Sequence, residues 1–391
     1  MRRVLLFDTI IDGHHADYLG HLIDYWLRKK LEGELIVVAQ ASFAPRFDQL
    51  CESAPSVTNL RFVSILPAEI DYVHQGSIFT RPFREWNLQI QYSQRYGSTH
   101  VLLMYFDIFQ MGIWLGKKAS CAVSGIYFRP DFHYTGSAGL MSRLKVLRKK
   151  TTLRGVMAQS ELKNLFCLDH SAVASVHAMN PRVQVLPLPD PVKAYSVTPA
   201  DTETLRHELR VEPGRRIFLL FGYLDDRKGI EAFLKALNLV GPAQQRQICF
   251  LLVGPIKADY QSLIDQTIAA VSTNVQIISV FNEIKGKAIQ IYFELSDYVL
   301  TLYQRHVGMA SVIIRAAISQ KPLLSSDYGY MGHLVQTRQL GAVTDSTSPP
   351  AIGQLLEQVL ADGLSYSKVN LQQLASQNSG ESFAKTIFEH L

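Results

Sequence analysis

The sequence lacks the features that mark several specialised classes of protein. Its 391 residues include only four cysteines, and no two of them have the spacing of a zinc site or a redox pair. We therefore expect reduced thiols, as in a cytosolic protein, and no metal site. No apolar run approaches the roughly 18 residues that a membrane-spanning helix needs, and the run Val4–Phe7 is too short for a signal peptide. These absences predict a soluble, cytoplasmic protein.

Charge is also scarce, and it is unevenly distributed. Charged residues make up 19% of the chain, and the net charge is +5. Residues 1–190 carry 21 lysines and arginines against 16 acidic residues, whereas residues 191–391 carry 18 of each. This excess is too small for a dedicated nucleic-acid-binding protein, so no nucleic-acid partner is expected. It suits an anionic substrate or an anionic lipid surface.

The chain does contain 47% hydrophobic residues, arranged as short β-rich segments that alternate with amphipathic helical segments. In the first half the predicted strands are Arg3–Asp8, Leu35–Ala39, Leu60–Ile65, His100–Phe106, Cys121–Phe128 and Gly155–Gln159. In the second half they are Arg216–Gly222, Gln247–Gly254, Val275–Phe281, Tyr298–Leu302 and Pro322–Ser325. Strands that alternate with helices predict parallel sheets covered on both faces.

A proline-rich connector separates the halves, since four prolines fall between residues 181 and 191. We predict an α/β protein with two doubly wound, Rossmann-like domains over residues 1–187 and 188–365. Helices in residues 366–391 are expected to pack back towards the first domain. Ligands of such sheets bind at the carboxyl ends of the strands, so a cleft between the two domains is the expected site.

The segment Gly222–Gly229 is the first candidate site, because it joins a predicted strand to a predicted helix. It places Arg227 and Lys228 where the helix dipole is unfavourable for cations, unless an anion binds there. Alternatively, the two cations pair with Asp225 and Asp226 in an exposed loop.

The segment His306–Ala317 is the second candidate, because a glycine again precedes a predicted helix. The free amides at such a helix start could hold a phosphate. The residues concerned are Gly308, Met309, Ala310 and Ser311.

Arg315 lies on this otherwise apolar helix. A buried guanidinium group is costly without an anionic partner. That partner is either a ligand or an acidic side chain such as Asp297 or Asp327.

With these residues in view, the second half resembles family 4 of the glycosyltransferases, which have the GT-B fold. The resemblance covers residues 183–361 and rests on the order and spacing of short motifs. They are Leu188–Pro191, Leu220–Ile230, Phe250–Pro255, Ser296–Leu300, Gly308–Ser325, Asp327–Val335 and Leu340–Val343. In the first half only the strand order, the general layout and the turn at Gly13 agree with the family.

Members of this family transfer a sugar from a nucleotide-diphosphate sugar, with retention of configuration and without an obligatory metal, and their second domain holds the donor. The resemblance implies that Lys228, helped by Arg227, binds the donor diphosphate. It implies that the segment 308–311, together with Arg315, contacts the phosphates and the sugar, and that the Gly13 loop closes on the donor. Gly222, Gly254 and Phe281, at the ends of predicted strands, complete the predicted donor site.

The sequence departs from the family pattern at two places. Tyr223 stands where the family often has an arginine after the first glycine. The family's two glutamates, which contact the donor ribose and sugar, fall near Val307 and on Arg315. Because arginine only donates hydrogen bonds, it cannot accept those of the donor hydroxyls. The donor contacts are therefore rebuilt, the donor differs, or activity is lost.

Two residues of the first half are predicted to be catalytic. The family often places an active-site histidine after a strand end, and here that position corresponds to His133. Asp107 follows a predicted strand at the same sheet edge and could touch the acceptor or the sugar; alternatively, it caps a helix. His14 and His15 are weaker candidates on the same argument.

Residues 140–154 hold six lysines and arginines, no acidic residue, and an apolar stripe at helical spacing. Such a helix suits peripheral contact with an anionic membrane. Alternatively, the cations form the solvated face of a helix that packs against the sheet.

The resemblance to family 4 implies a retaining, metal-independent glycosyltransferase of the hexosyltransferase type, acting in polysaccharide or glycoconjugate biosynthesis. The nucleotide sugar is a substrate, and no cofactor is expected. The acceptor hydroxyl belongs to a glycan, a lipid-linked molecule or a small molecule. The alternative is a catalytically inactive protein of the same fold that binds a sugar or a nucleotide.

Overall fold

The computed structural model describes residues 2–11, 15–52, 57–77, 79–130 and 140–391, without the side chains of residues 140–145. The chain divides into two compact units. The first is Met1–Pro191 with Ser379–Leu391, and the second is Val192–Asn378. Within the described residues, no helix is long and apolar enough to cross a membrane.

Up to residue 191, strands and helices alternate along the chain. The strands are β1 Arg3–Phe7, β2 Glu34–Gln40, β3 Leu60–Ile65, β4 His100–Leu103, β5 Ala122–Tyr127, β6 Leu162–Cys167 and β7 Gln184–Pro187. The helices are α1 His15–Lys29, α2 Ala44–Glu52, α3 Pro67–His74, α4 Arg81–Arg95, α5 Gln110–Leu115, α6 Leu140–Met157 and α7 Val173–His177.

The remainder of the chain repeats this alternation. Its strands are β8 Arg216–Phe221, β9 Ile248–Val253, β10 Gln276–Val280, β11 Tyr298–Thr301, β12 Leu323–Ser326 and β13 Gly341–Thr344. Its helices are α8 Pro199–Glu208, α9 Ile230–Leu237, α10 Pro242–Gln245, α11 Ala258–Ala269, α12 Lys287–Leu295, α13 Ser311–Ile318, α14 Gly329–Thr337, α15 Pro349–Asp362, α16 Lys368–Gln377 and α17 Gly380–Phe388.

Both sheets are parallel, and in both the chain starts near the middle and winds outwards in two directions. The strand orders are β3-β2-β1-β4-β5-β6-β7 and β10-β9-β8-β11-β12-β13. The predicted α/β class with two doubly wound sheets is therefore confirmed. Ligands of such sheets bind where the winding direction reverses, outside the carboxyl ends of the strands. These switch points lie between β1 and β4 and between β8 and β11.

Burial explains which segments become central strands. Every residue of β9 is buried, as expected for a strand covered by helices on both faces. The edge strand β10 is only partly buried along its whole length. Continuous apolar runs therefore mark the middle of each sheet, where the switch points are.

One predicted strand of the first half is wrong. Residues 155–157 continue helix α6, and the next strand is β6. Val156 and Met157 are fully buried on the inner face of the helix, where their apolar character resembles that of a strand. The predicted strand over residues 100–106 is too long, since β4 ends at Leu103 and a 3₁₀ turn covers Phe106–Ile108.

The unit boundaries differ from the predicted domain limits. The proline-rich connector contains β7, an edge strand that ends in Pro187, and the first unit extends to Pro191. Helix α16 belongs to the second unit, where it packs against α13, rather than to the first. Helix α17 belongs to the first unit, where it packs against α1.

Two glycines allow the chain to turn tightly after β8 and β9. Gly254 adopts φ +132°, and a Cβ at this position would overlap the carbonyl oxygen of Gly222. Gly222 adopts φ +111°. A side chain at residue 254 would therefore force the two strand ends apart.

The variant Gly254→Ala tests this close approach. We expect it to lower the free energy of unfolding by about 2 kcal/mol or more, because overlap adds to the cost of a positive φ. Gly214→Ala is the matched control, since Gly214 also has a positive φ (+79°) but has no atom within 4 Å of the added Cβ. Urea denaturation measures both; equal losses in the two variants would contradict the overlap.

Candidate functional site

The candidate site of the second unit is the switch point at the carboxyl ends of β8 and β11. The turn after β8 ends in a 3₁₀ turn over Asp226–Lys228, and α9 begins only at Ile230, two residues later than the predicted helix. The backbone amide of Gln304, after β11, donates to the carbonyl oxygen of Arg227 over 2.7 Å. The two loops are thus held against each other.

Lys228 is the central residue of this site. Its side chain is buried, with 5% of the residue exposed. Nζ donates to the carbonyl oxygen of Phe221 over 2.8 Å and to the hydroxyl of Tyr303, and it lies 4.3 Å from the centre of the Tyr303 ring. Both acceptors are neutral, and Lys228 forms no ion pair with a described carboxylate. A buried ammonium group without an anionic partner is costly, which indicates that a ligand supplies the negative charge.

Gly222 keeps the space beside this ammonium group open. A Cβ at Gly222 would lie 3.0 Å from Nζ of Lys228. Any side chain at this position would therefore stand where an anion must approach. The predicted residues Gly222, Lys228 and Gly254 are brought together by the ends of β8 and β9.

Arg227, unlike Lys228, forms an ion pair within the loop. Its Nε and Nη2 atoms donate to Oδ2 of Asp225 over 3.0 and 2.9 Å, so the alternative of an internal ion pair holds for this residue. The guanidinium group is about half-exposed, whereas Asp225 is buried. Because its charge is already compensated, Arg227 contributes less to an anion site than Lys228 does.

The second candidate segment starts its helix later than predicted, since α13 begins at Ser311. Ala310 precedes the helix without offering a side-chain cap, so the first amides of α13 are not capped by it. Gly308 is buried, and a Cβ there would lie 3.3 Å from Nε2 of His306. The ring of His306 in turn lies 5.4 Å from that of Tyr303, which links this segment to Lys228.

The remaining donor-site candidates of the second unit are more peripheral. Met309 is half-buried, and Phe281 packs against the core of the unit at the end of β10. Arg315 lies on a half-buried position of α13. Asp297, which was one possible partner for it, accepts a hydrogen bond from the backbone amide of Ile217 over 2.7 Å.

In the first unit, Gly13, His14 and His133 lie outside the described residues. His15 is described and buried, and its Nδ1 atom lies 2.8 Å from Oδ2 of Asp8. Burial raises the pKa of the Asp8 carboxyl, although His15 opposes the shift. This pair lies directly after β1, at the switch point, and no sequence signal had indicated Asp8.

Asp107 does not cap a helix, so that alternative is wrong. It lies within the 3₁₀ turn after β4, and its two carboxylate oxygens accept hydrogen bonds from the amides of Phe128 and Arg129 over 2.9 and 3.0 Å. Burial raises its pKa to about 6, against the opposing effect of these amides. Its catalytic role stays a prediction, but the side chain already fixes the end of β5.

The described residues contain no cluster of three or more His, Cys, Asp or Glu side chains that could hold a metal ion.

The elevated pKa of Asp107 predicts a pH-dependent stability. The folded chain binds this proton more tightly than the unfolded chain, where the pKa has its ordinary value of 3.8. The contribution of Asp107 to stability is therefore fully present below pH 3.8 and is lost as the pH rises to about 6. In Asp107→Asn this titration is absent, so wild type should lose stability relative to the variant across that window. Denaturation curves at several pH values measure the difference; parallel pH profiles would rule out the shifted pKa.

Comparison with known proteins connects this geometry to a family. Residues 201–378 match the family model "Glycosyl transferases group 1". No curated protein matches the chain. The solved structure of Anabaena HepE in complex with UDP and glucose is similar, with 16% identity, a TM-score of 0.67, and coverage of 100% of this chain and 99% of that chain.

Two further solved structures are similar over the full length. Sucrose-phosphate synthase from Thermosynechococcus elongatus is 15% identical, with a TM-score of 0.69 and coverage of 100% of this chain and 98% of that chain. WaaG, a glycosyltransferase involved in lipopolysaccharide biosynthesis, is 14% identical, with a TM-score of 0.63 and coverage of 99% and 98%. The chain therefore has the GT-B fold of these structures, and its residues 201–378 match the group 1 glycosyl transferases.

Proposed function

We propose that this enzyme transfers a sugar from a nucleotide-diphosphate sugar to an acceptor hydroxyl, and that Lys228 holds the donor diphosphate. The observation that carries the proposal is the buried ammonium group of Lys228 at the switch point of the second sheet, with two neutral acceptors. An ammonium group donates three hydrogen bonds, so one donor remains for a phosphate oxygen.

The chemistry follows from this placement. As the bond between the anomeric carbon and the diphosphate breaks, negative charge builds up on the leaving oxygen. A fixed ammonium group in a site of low dielectric stabilises that charge without reorganisation. The amides at the start of α13, which have no side-chain cap from Ala310, add partial positive charge at the carboxyl ends of the strands. In this proposal the protein itself, rather than a metal ion, neutralises the leaving group.

UDP-glucose is the first donor to test, because the similar HepE structure is described as a complex with UDP and glucose. Retention of configuration is part of the proposal and is supported by the resemblance to family 4. Determining the anomer of the product by NMR tests it. The two missing glutamates, whose positions fall near Val307 and on Arg315, require that other groups accept the hydrogen bonds of the donor hydroxyls.

We further propose that helix α6 brings the first unit to an anionic membrane, where a lipid-linked acceptor would be found. The inner face of the helix is buried through Leu153, Val156 and Met157, but Leu147 is 59% exposed. Leu115, on the neighbouring helix α5, is 57% exposed. Exposed leucines beside a helix with six cations and no acidic residue suit the boundary between headgroups and acyl chains.

The variant Lys228→Met tests the donor site, because it removes the charge and keeps an unbranched side chain. Turnover of UDP-glucose should fall about 100-fold or more, since loss of one preorganised donor to a developing anion typically costs 10²–10³ in kcat. The free energy of unfolding should not fall, because an uncompensated buried charge is removed. Coupled UDP-release assays and urea denaturation measure the two effects.

Lys235→Met is the matched control, since the Lys235 side chain is 61% exposed on α9 in the same unit. Near-normal turnover in Lys228→Met would refute the assigned role. A wild-type chain that binds UDP tightly but turns over no UDP, GDP or ADP sugar would favour the alternative, an inactive binding protein.

The variant Leu147→Glu tests the membrane proposal. Binding to vesicles that contain phosphatidylglycerol should weaken at least several-fold. The change removes an apolar contact, and it gives the protein a negative charge that the anionic lipid repels. Leu263→Glu, at a leucine that is 42% exposed in the second unit, should bind like wild type. Flotation assays at low and high salt measure the binding. Equal flotation of both variants, or no flotation of wild type, would overturn the proposal.

A further inference from the structure

The second unit also contains a cavity at the amino end of β13, on the side of the sheet away from the carboxyl ends of the strands. It has a volume of about 310 Å³ and is lined by the end of α14, the start of β13 and the segment 365–367. Gly341, the first residue of β13, lies at the amino end of the strand, whereas Lys228 follows the carboxyl end of β8. Four residues of strand span about 13 Å, so the cavity is separate from the donor site.

The lining of this cavity selects a chemical class of ligand. Of the seven described residues that line it, none is charged. Two amides and two hydroxyls supply donors and acceptors, and Tyr366 adds an aromatic ring with a further hydroxyl. The polar side chains are those of Gln336, Gln339, Ser365 and Ser367. Because neither a cation nor a carboxylate lines the cavity, it has no charged group to compensate an ion, and only Val343 and the tyrosine ring are apolar.

Most of these polar groups are available to a ligand. In the described part of the chain, the side chains of Gln336, Gln339, Ser365 and Tyr366 make no hydrogen bond. Only the hydroxyl of Ser367 is occupied, since it accepts from the amide of Asn370 over 3.2 Å. An unused set of amides and hydroxyls around an aromatic ring matches a molecule with many hydroxyl groups and an apolar face.

The backbone holds the cavity walls together. The amide of Ser367 donates to the carbonyl oxygen of Gln339 over 2.8 Å, and Nδ2 of Asn370 donates to the carbonyl oxygen of Arg338 over 2.8 Å. Gln339 adopts φ +52°, a conformation that glycine would adopt at lower cost. The chain nevertheless places here a long amide side chain that lines the cavity.

We propose that this cavity, defined by Gln336, Gln339, Ser365, Tyr366 and Ser367, is a second saccharide-binding site that takes a neutral sugar. It goes beyond the proposed transfer reaction, because it lies away from the carboxyl ends of the strands. This site could hold a growing glycan, or a saccharide chain of the acceptor, while the reacting end of the same molecule lies outside the cavity.

Isothermal titration of the full chain with glucose and maltotetraose, in the presence of UDP, tests this site. Wild type should bind both sugars, and should bind glucuronate no better than glucose, since no cation lines the cavity. Tyr366→Ala and Gln336→Ala should each weaken binding by about tenfold, the loss expected from one aromatic or hydrogen-bonding contact. Val369→Ala, at a residue that is 61% exposed on α16 but does not line the cavity, should bind like wild type.

All the substituted residues are at least partly exposed, so the variants should fold, which circular dichroism checks. Turnover of UDP-glucose should be unchanged in Tyr366→Ala, which separates this site from the donor site. Absence of sugar binding by wild type at millimolar concentration, or equal affinity in wild type and both variants, would overturn the proposal. If the chain binds these sugars as predicted but has no transferase activity, the result counts against the proposed function and not against this second site.

Discussion

The candidate site depends on an ammonium group that is buried without an anionic partner among the described residues. Lys228 is held by a carbonyl oxygen at the end of β8 and by the hydroxyl of Tyr303 after β11, and neither group compensates its charge. Burying such a charge costs several kcal/mol, which the fold must offset elsewhere. The open space beside Gly222 and the two neutral acceptors of Lys228 fit the proposal that a donor diphosphate completes the electrostatic balance.

The two units treat the same topological position in opposite ways. Each sheet starts near its middle, so each chain segment after the first strand lies at a switch point. In the first unit this segment buries Asp8 and His15 as a hydrogen-bonded pair 2.8 Å apart. In the second unit the equivalent segment buries Asp225 and Lys228. Asp225 pairs with Arg227, whereas Lys228 forms no ion pair with a described carboxylate. This difference in charge supports the proposal that the anionic donor binds at the second switch point rather than at the first.

The sequence was sufficient to predict the two sheets and most of their strands, because central strands of a covered parallel sheet are continuous apolar runs. The same signal failed at residues 155–159, since Val156 and Met157 are buried on a helix and not in a strand. The strand–turn junctions that contain Gly222, Lys228 and Gly254 show in the sequence, and the resemblance to family 4 implied their role in donor binding, which stays a prediction. Tyr303 was not predicted, because its contact with Lys228 joins residues 75 positions apart. The partner of Arg227 could not be predicted, because the sequence does not distinguish an ion pair with a nearby carboxylate from a contact with a ligand phosphate.

Because the two glutamates of family 4 are absent here, other residues must replace them in the loops around the proposed donor site. Carboxylates both position hydroxyl groups and order the loops that carry them, so their absence leaves two tasks to other residues. The second task is met by neutral hydrogen bonds: Nε2 of Gln304 donates to the carbonyl oxygen of Ser346, and the Ser346 hydroxyl donates to the carbonyl oxygen of Tyr303 and lies 3.1 Å from the Ser326 hydroxyl. These bonds join the loops after β11, β12 and β13 beside Lys228. In the proposed reaction, the uncompensated cation of Lys228 attracts the charged diphosphate, and recognition of the sugar is left to hydroxyl and amide groups.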